Sequence, residues 1–192
     1  MGRKTSYNQI PDRELVLRSQ KGDRKAFGLL VERYEDRIFN TAYRLLSNYE
    51  DAKDITQEAF LASYRFLRSF KRKSNFYTWL YRIAIRLSYR RLRGRKKTYP
   101  LEEGFLLPDE VFRVQGNKTP RQSAIYRELQ ETVQKALNSL DKKYRSVIVL
   151  HDFEELSYKE ISDILKCPVG TVMSRLHRAR SMLRKKLKDI KL

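Results

Sequence analysis

Between Phe76 and Arg93, Trp79, Arg82, Arg86, Tyr89 and Arg93 recur at i, i+3, i+7, i+10 and i+14. On a helix these positions share one face, which alternates aromatic rings with guanidinium groups. Rings stack on unpaired bases and arginines hold a phosphate backbone, so the stripe suits single-stranded nucleic acid. The plainer alternative is a solvated arginine face with one half-buried Trp. The basic loop Ser69–Asn75 precedes the stripe and adds Lys71, Arg72, Lys73 and Asn75. Arg90, Arg91, Arg93, Arg95, Lys96 and Lys97 extend it with no acid between.

A second constellation spans Ser157 to Arg180. Ser157 followed by Glu160 is a capping-box start, and Ile161, Ile164 and Leu165 give the helix an apolar face. Lys166-Cys-Pro168 stops that helix and suits the first turn of another. In the second helix Val172, Leu176, Ala179, Leu183 and Leu187 form one apolar stripe. The opposite face carries Gly170, Ser174, His177, Arg178 and Ser181, flanked by Thr171, Arg175 and Arg180. Short polar groups beside arginines suit groove edges and phosphates, and a helix-turn-helix lays such a helix in the major groove. A helical hairpin with a solvated basic face is the alternative.

A third group is acidic. Asp51, Asp54 and Glu58 are expected on an outward face of a helix from Glu50 to Phe70, with Glu50 beside them. Helix-dipole complementarity covers Glu50 and Asp51 but hardly Glu58, two turns in. Paired carboxylates could hold a metal, but the histidines, His151 and His177, lie far away in sequence, so no metal and no cofactor is expected. A protein-docking face fits better. No phosphate-cradling glycine loop and no nucleophile with a base partner is evident, so no catalytic residue is assigned.

The elements that must position these groups are helical. The 192 residues carry a formal net charge of +19, which points to a polyanionic partner, most simply nucleic acid. Mean hydropathy is −0.68, and no stretch approaches the ~18 apolar residues of a membrane span. The basic N-terminus lacks an apolar core and does not read as a signal peptide. The single cysteine, Cys167, reads as a small turn residue and fits a reducing, cytoplasmic compartment. Glycine is scarce and helical periodicity dominates, so the expected class is all-α.

In chain order, helices are expected over Asp12–Gln20, then after an Asp23 cap with Ala26, Leu30, Tyr34, Ile38 and Leu45 inward, then Glu50–Phe70 and Phe76–Arg93. Residues 98–120 break the pattern with Pro100, Pro108 and Pro120, and read as a flexible linker between domains 1–97 and 121–192. Phe105, Leu106, Leu107, Val111 and Phe112 exceed what a passive tether needs. A helix returns over Arg121–Leu140 with Ile125, Leu129, Val133 and Leu137, and Asp141 is expected to cap Lys142–Phe153.

Four ordered motifs carry a resemblance: Asp51-Ala-x-Asp-Ile-x-Gln-Glu-x-Phe60, Phe76-Tyr-Thr-Trp-Leu-Tyr-Arg-Ile-Ala84, Leu156-Ser-Tyr-x-Glu-Ile161, and Pro168-Val-Gly-Thr-Val-x-Ser-Arg-Leu-His-Arg-Ala-Arg180. Over residues 12–188 the chain resembles the extracytoplasmic-function (group IV) sigma factors of bacterial RNA polymerase, of the sigma-E and sigma-W kind. The resemblance implies two small helical domains, sigma domain 2 and sigma domain 4. It implies that Asp51, Asp54, Gln57 and Glu58 dock on the β′ clamp helices. It implies that the Ser69–Asn75 loop and the Trp79–Arg93 face, with Arg90, hold the −10 element around a flipped base. The Gly170–Arg180 helix would read the −35 element through Thr171, Met173, Ser174, Arg175, His177, Arg178 and Arg180. The C-terminal domain would also bind the β flap. The linker would thread toward the RNA exit channel. Family members are usually held inactive by an anti-sigma factor. Three positions depart from the pattern: Arg86 stands where close relatives often hold Asn, Met173 where they often hold Arg or Lys, and Ser162 where alanine is more usual. The alternative readings are a helix-turn-helix regulator acting without core polymerase, and a nucleic-acid-processing enzyme.

Overall fold

The structure is a computed structural model that describes residues 10–71, 74–95 and 120–188. Met1–Gln9, Arg72, Lys73 and the expected linker up to Thr119 lie outside the described residues. Among those described, every regular element is helical: α1 (Asp12–Gln20), α2 (Arg24–Leu46), α3 (Tyr49–Phe66), α4 (Phe76–Arg95), α5 (Pro120–Asn138), α6 (Lys142–Ile148), α7 (Tyr158–Leu165) and α8 (Val169–Lys188).

Local chemistry sets most of the boundaries. Asp23 caps α2 by accepting from the Lys25 and Ala26 amides. Ser47 takes the left-handed conformation that ends α2, and Asn48 then caps α3 through the Asp51 amide. The expected capping box at α7 is present in both directions between Ser157 and Glu160. Lys166 ends α7 with φ 55°, ahead of Pro168.

Three local expectations are corrected. Asp141 precedes α6, but its carboxylate makes no capping hydrogen bond. Helix α3 stops at Phe66, not Phe70, because residues 67–69 tighten into a 3-10 turn that turns Leu67 inward and leaves Phe66 61% exposed. Beyond α6 the chain widens into a π turn over Val149–Phe153, which ends one residue before Glu154.

Helices α1–α4 form one unit, with α2 packed on α3 and α3 on α4. Helices α6–α8 form a second, and α5 packs on both α2 and α8. The buried residues of the two units join in one continuous core, with α4 against α7. Burial rises along α5: Ile125 and Leu129 are exposed, whereas Ala136, Leu137 and Leu140 are buried. The apolar stripe of α8 is likewise buried at Val172, Leu176 and Ala179 and emerges at Leu187.

Candidate nucleic-acid interface

Helices α3 and α4 and the turn between them enclose a groove of about 840 Å³. Trp79, Arg82, Arg86, Arg90 and Arg93 line one wall, and Glu58, Leu61, Ala62, Arg65 and Phe66 the other. Ser69, Phe70, Lys71 and Ser74 close its end. The aromatic–arginine stripe therefore forms one cationic wall, the α3 wall opposite is mixed and largely apolar, and the more buried Ile83 and Leu87 give an apolar floor. Trp79 is half-buried and stacks on Phe70, with ring centroids 4.7 Å apart at 26°. That contact fixes the indole plane at the head of the groove. Asn75 is exposed and donates to the Tyr77 hydroxyl. Arg86 and Arg93 are exposed. Leu61, Arg65 and Phe66 are not among the expected site residues; Leu61 and Phe66 are large apolar residues left exposed on α3.

Two stripe residues are engaged elsewhere. The Arg82 Nε donates to the Asp163 carbonyl of α7 at 3.1 Å. The Tyr89 hydroxyl meets the Ser146 hydroxyl and the Lys142 carbonyl of α6, and burial pushes its phenol above the usual range. Tyr89 is thus turned to the helix-turn-helix unit, whereas Arg82 reaches that unit while still lining the groove.

One member of the acidic face, Asp51, is more internal than expected. Asp51 is only 8% exposed and pairs with Arg91 of α4 at 2.6 Å. Asp54 lies 3.5 Å from the same guanidinium, and Glu58 pairs with Arg90. These carboxylates brace α3 against α4, and Arg90 is tied to that brace. The exposed residues of α3 along this side are Asp54, Gln57, Leu61 and Tyr64.

On α8 the expected groove-reading residues lie together on the solvent side. Met173, Ser174, His177, Arg178 and Arg180 are exposed, and Thr171 and Arg175 half-buried. Arg175 donates to the Cys167 sulfur at 3.8 Å, so the turn cysteine helps orient it. Arg180 forms a two-pronged pair with Asp152, which holds its guanidinium above its usual pKa.

One highly connected polar side chain among the described residues carries no local sequence signal. Glu154, 4% exposed, follows the π turn and enters the first unit. Its Oε1 accepts from the Thr41 hydroxyl at 3.0 Å, and its Oε2 from Arg37 Nε at 3.2 Å and from the Tyr81 hydroxyl. Arg44 stands 3.9 Å away, its own pKa lowered by burial. Burial, and then the Glu154 charge, push the Tyr81 phenol far up.

Comparisons with known proteins follow the same two units. Residues 30–98 match the family described as Sigma-70 region 2, and residues 130–183 match Sigma-70, region 4. The chain is 42% identical to the ECF RNA polymerase sigma factor SigW of Bacillus subtilis, over 89% of this chain and 94% of that one. It is 38% identical to the ECF RNA polymerase sigma-E factor of Escherichia coli K12, over 95% and 97%. Among solved structures it is similar to CnrH in complex with the cytosolic domain of CnrY, with TM-score 0.72 at 26% identity, covering 94% of this chain and 99% of that one. It is also similar to the sigma factor RpoE of Bartonella quintana in complex with the anti-sigma factor NepR, with TM-score 0.69 at 25% identity, covering 87% and 99%.

Proposed function

The chain belongs to the extracytoplasmic-function sigma factors of RNA polymerase, and from that premise we propose which surface performs each part of promoter recognition. Residues 1–97 form the −10 and core-docking domain, 98–120 the linker, and 121–192 the −35 domain. The protein acts in the cytoplasm as a specificity subunit without catalytic residues of its own. Among the described residues no helix is long and apolar enough to cross a membrane.

The exposed edge of α3, with Asp54, Gln57, Leu61 and Tyr64, docks on the β′ clamp helices. Asp51 supports this face from inside through Arg91, and Glu58 flanks it in an exposed pair with Arg90. The groove of Trp79, Arg86 and Arg93, with Lys71 and Asn75, takes the melted −10 strand. Its apolar floor receives a base turned out of the stack while the arginines hold phosphates. Arg82 already lines the groove while its Nε donates to α7, and Tyr89 joins it once α6 leaves it. Arg72 and Lys73, which lie outside the described residues, are assigned to the same strand on their sequence alone. The exposed face of α8 enters the major groove at −35. There Ser174, His177 and Arg178 reach base edges, and Thr171, Met173, Arg175 and Arg180 position the helix. The C-terminal unit also binds the β flap. An anti-sigma factor is the regulatory partner, a reading supported by the similar Bartonella quintana sigma factor, which is seen in complex with the anti-sigma factor NepR.

The observation that carries this reading is the pairing, on one chain, of a cationic groove that fits a strand with a separate helix that fits a duplex. Run-off transcription with core polymerase on genomic fragments tests it. Discrete start sites dependent on the protein are expected. Gln57→Ala with Leu61→Ala should fold normally and weaken core binding ~10-fold, the loss of about 1.4 kcal/mol. Failure to copurify with core polymerase would favour a free-standing helix-turn-helix regulator.

A further inference from the structure

We propose that Gln20, the last residue of α1, is a positioning residue for strand recognition: it anchors the turn that shapes the head of the groove and thereby sets the plane of Trp79. Helix α1 carries none of the expected site residues, yet its final side chain reaches across 47 and 50 residues of sequence. The Gln20 amide nitrogen donates to the Leu67 carbonyl at 2.9 Å and to the Phe70 carbonyl at 3.1 Å. Carbonyls only accept, so the amide faces them through its NH2 group, whose two hydrogens match the two acceptors. Leu67–Ser69 is the 3-10 turn that ends α3. Carbonyls at a helix end lack intrahelical partners, and 3-10 turns are poorly bonded on their own. Gln20 supplies the donors that the turn lacks.

The anchor is itself fixed. Leu15 and Val16 of α1 are buried, and α1 packs on α2. At the start of α1 the Asp12 carboxylate accepts from Arg33 and from the Tyr34 hydroxyl, and Arg33 also donates to the Ile10 carbonyl at 3.0 Å. Helix α1 is therefore a rigid bracket, pinned to α2 and clasping the turn at its far end. What the turn sets is the groove. It buries Leu67, leaves Phe66 exposed on the α3 wall, and delivers Phe70 and Lys71 to the closed end. The Phe70 ring stands edge-on to Phe76, with centroids 6.4 Å apart at 83°, and lies stacked against the Trp79 indole. Loss of the donor to the Phe70 carbonyl therefore frees the ring that fixes Trp79. The consequence for the strand rests on the assignment of the groove to the −10 element; the bracket itself does not.

Trp79 is the chain's one tryptophan, so its fluorescence reports on the head of the groove alone. The test variants are Gln20→Met, of similar length without a donor, and Gln20→Glu, which turns a carboxylate on the two carbonyls. Gln20 is half-buried, so neither removes core packing. Circular dichroism checks folding, and if one variant does not fold the other decides. In the full chain, Trp79 emission should move to longer wavelength and acrylamide quenching should increase. Each variant should bind core polymerase as wild type does, and the resulting holoenzyme should bind a duplex fragment carrying the −35 element unchanged. The second probe is a promoter fragment from the run-off experiment, prepared with an unpaired bubble over the −10 element. Holoenzyme affinity for it should fall ~10-fold, as for a turn that keeps its groove-shaping geometry only about a tenth of the time. Trp79→Ala is the reference. Unchanged emission and quenching overturn the positioning role and leave the −10 assignment standing. A changed emission with unchanged bubble affinity overturns the role of Gln20 in recognition. If Trp79→Ala also leaves that affinity unchanged, the assignment of the groove fails with it.

Discussion

The Thr41 hydroxyl donates to the Glu154 carboxylate at 3.0 Å across 113 residues of sequence, and the Tyr81 hydroxyl donates to the other oxygen of the same group. Two neutral donors thus complete a buried carboxylate whose charge is matched by Arg37 and Arg44. A hydrogen bond to a charged group is worth more than one between neutral groups. Tyr81→Phe keeps the ring and deletes one donor. It should destabilise the full chain by about 1.5–3 kcal/mol in urea unfolding. Equal stability would show that the hydroxyl does not support the carboxylate.

The braces between α3 and α4 differ in burial, and their energies should differ with it. Asp51 and Arg91 have side-chain exposures of 11% and 36%, whereas Glu58 and Arg90 stand at 43% and 67%. Arg91→Ala removes a charged partner from a nearly buried carboxylate and should cost about 1–2 kcal/mol. Arg90→Ala breaks a solvent-screened pair and should cost under about 0.5 kcal/mol. Thermal unfolding of both variants at low and high salt checks the order. A reversed order would mean that the Asp51 brace adds nothing to the fold.

The same pairs show what the sequence could and could not convey. The caps at Asp23 and Ser157 were legible because each depends on residues two to three positions apart. So was the buried stripe Val172, Leu176 and Ala179, since helical period alone selects it. Asp51 was misread as outward because a helical wheel gives the direction of a side chain and not what stands opposite. Here Arg91 of α4 closes over it. Glu154 was illegible for a different reason. It has the same type as Glu155, and only the widened turn after α6 sends one carboxylate inward and sets the other residue at φ 57°. Tyr89 was assigned to the strand face because nothing local reveals that α6 packs over it.

Buried phenols give a pH signature. The chain has twelve tyrosines; burial, with Glu131 adding, pushes Tyr43 up to about 12, and burial raises Tyr34 and Tyr81 further. Their folded values exceed the ordinary value of about 10, so the folded state binds the proton more tightly than the unfolded state. That contribution is fully present below pH about 10 and is lost as pH rises toward the folded values. Spectrophotometric titration should show exposed tyrosines ionising first, and the buried set ionising only as helical circular dichroism disappears. Full ionisation of all twelve with the helices intact would contradict the packing of Tyr43 and Tyr81.

Arg86 offers the sharpest test of how the groove treats its strand. It is exposed and lines the groove beside Trp79, so it points at the cleft and not the core. Asparagine can donate and accept, and so can read a base edge. Arginine only donates, always carries charge, and can stack as a plane or hold a phosphate. On the proposed reading of the groove, Arg86 would exchange base discrimination for grip on the backbone. Arg86→Asn should leave core binding intact, lower the salt slope of holoenzyme–promoter binding by roughly one unit, and change the base preference within the −10 element. The measurement is promoter affinity of the holoenzyme against salt, with all four bases at each −10 position. If neither slope nor preference moves, Arg86 is a solvated surface residue, and −10 recognition rests on Trp79 and the Ser69–Asn75 loop.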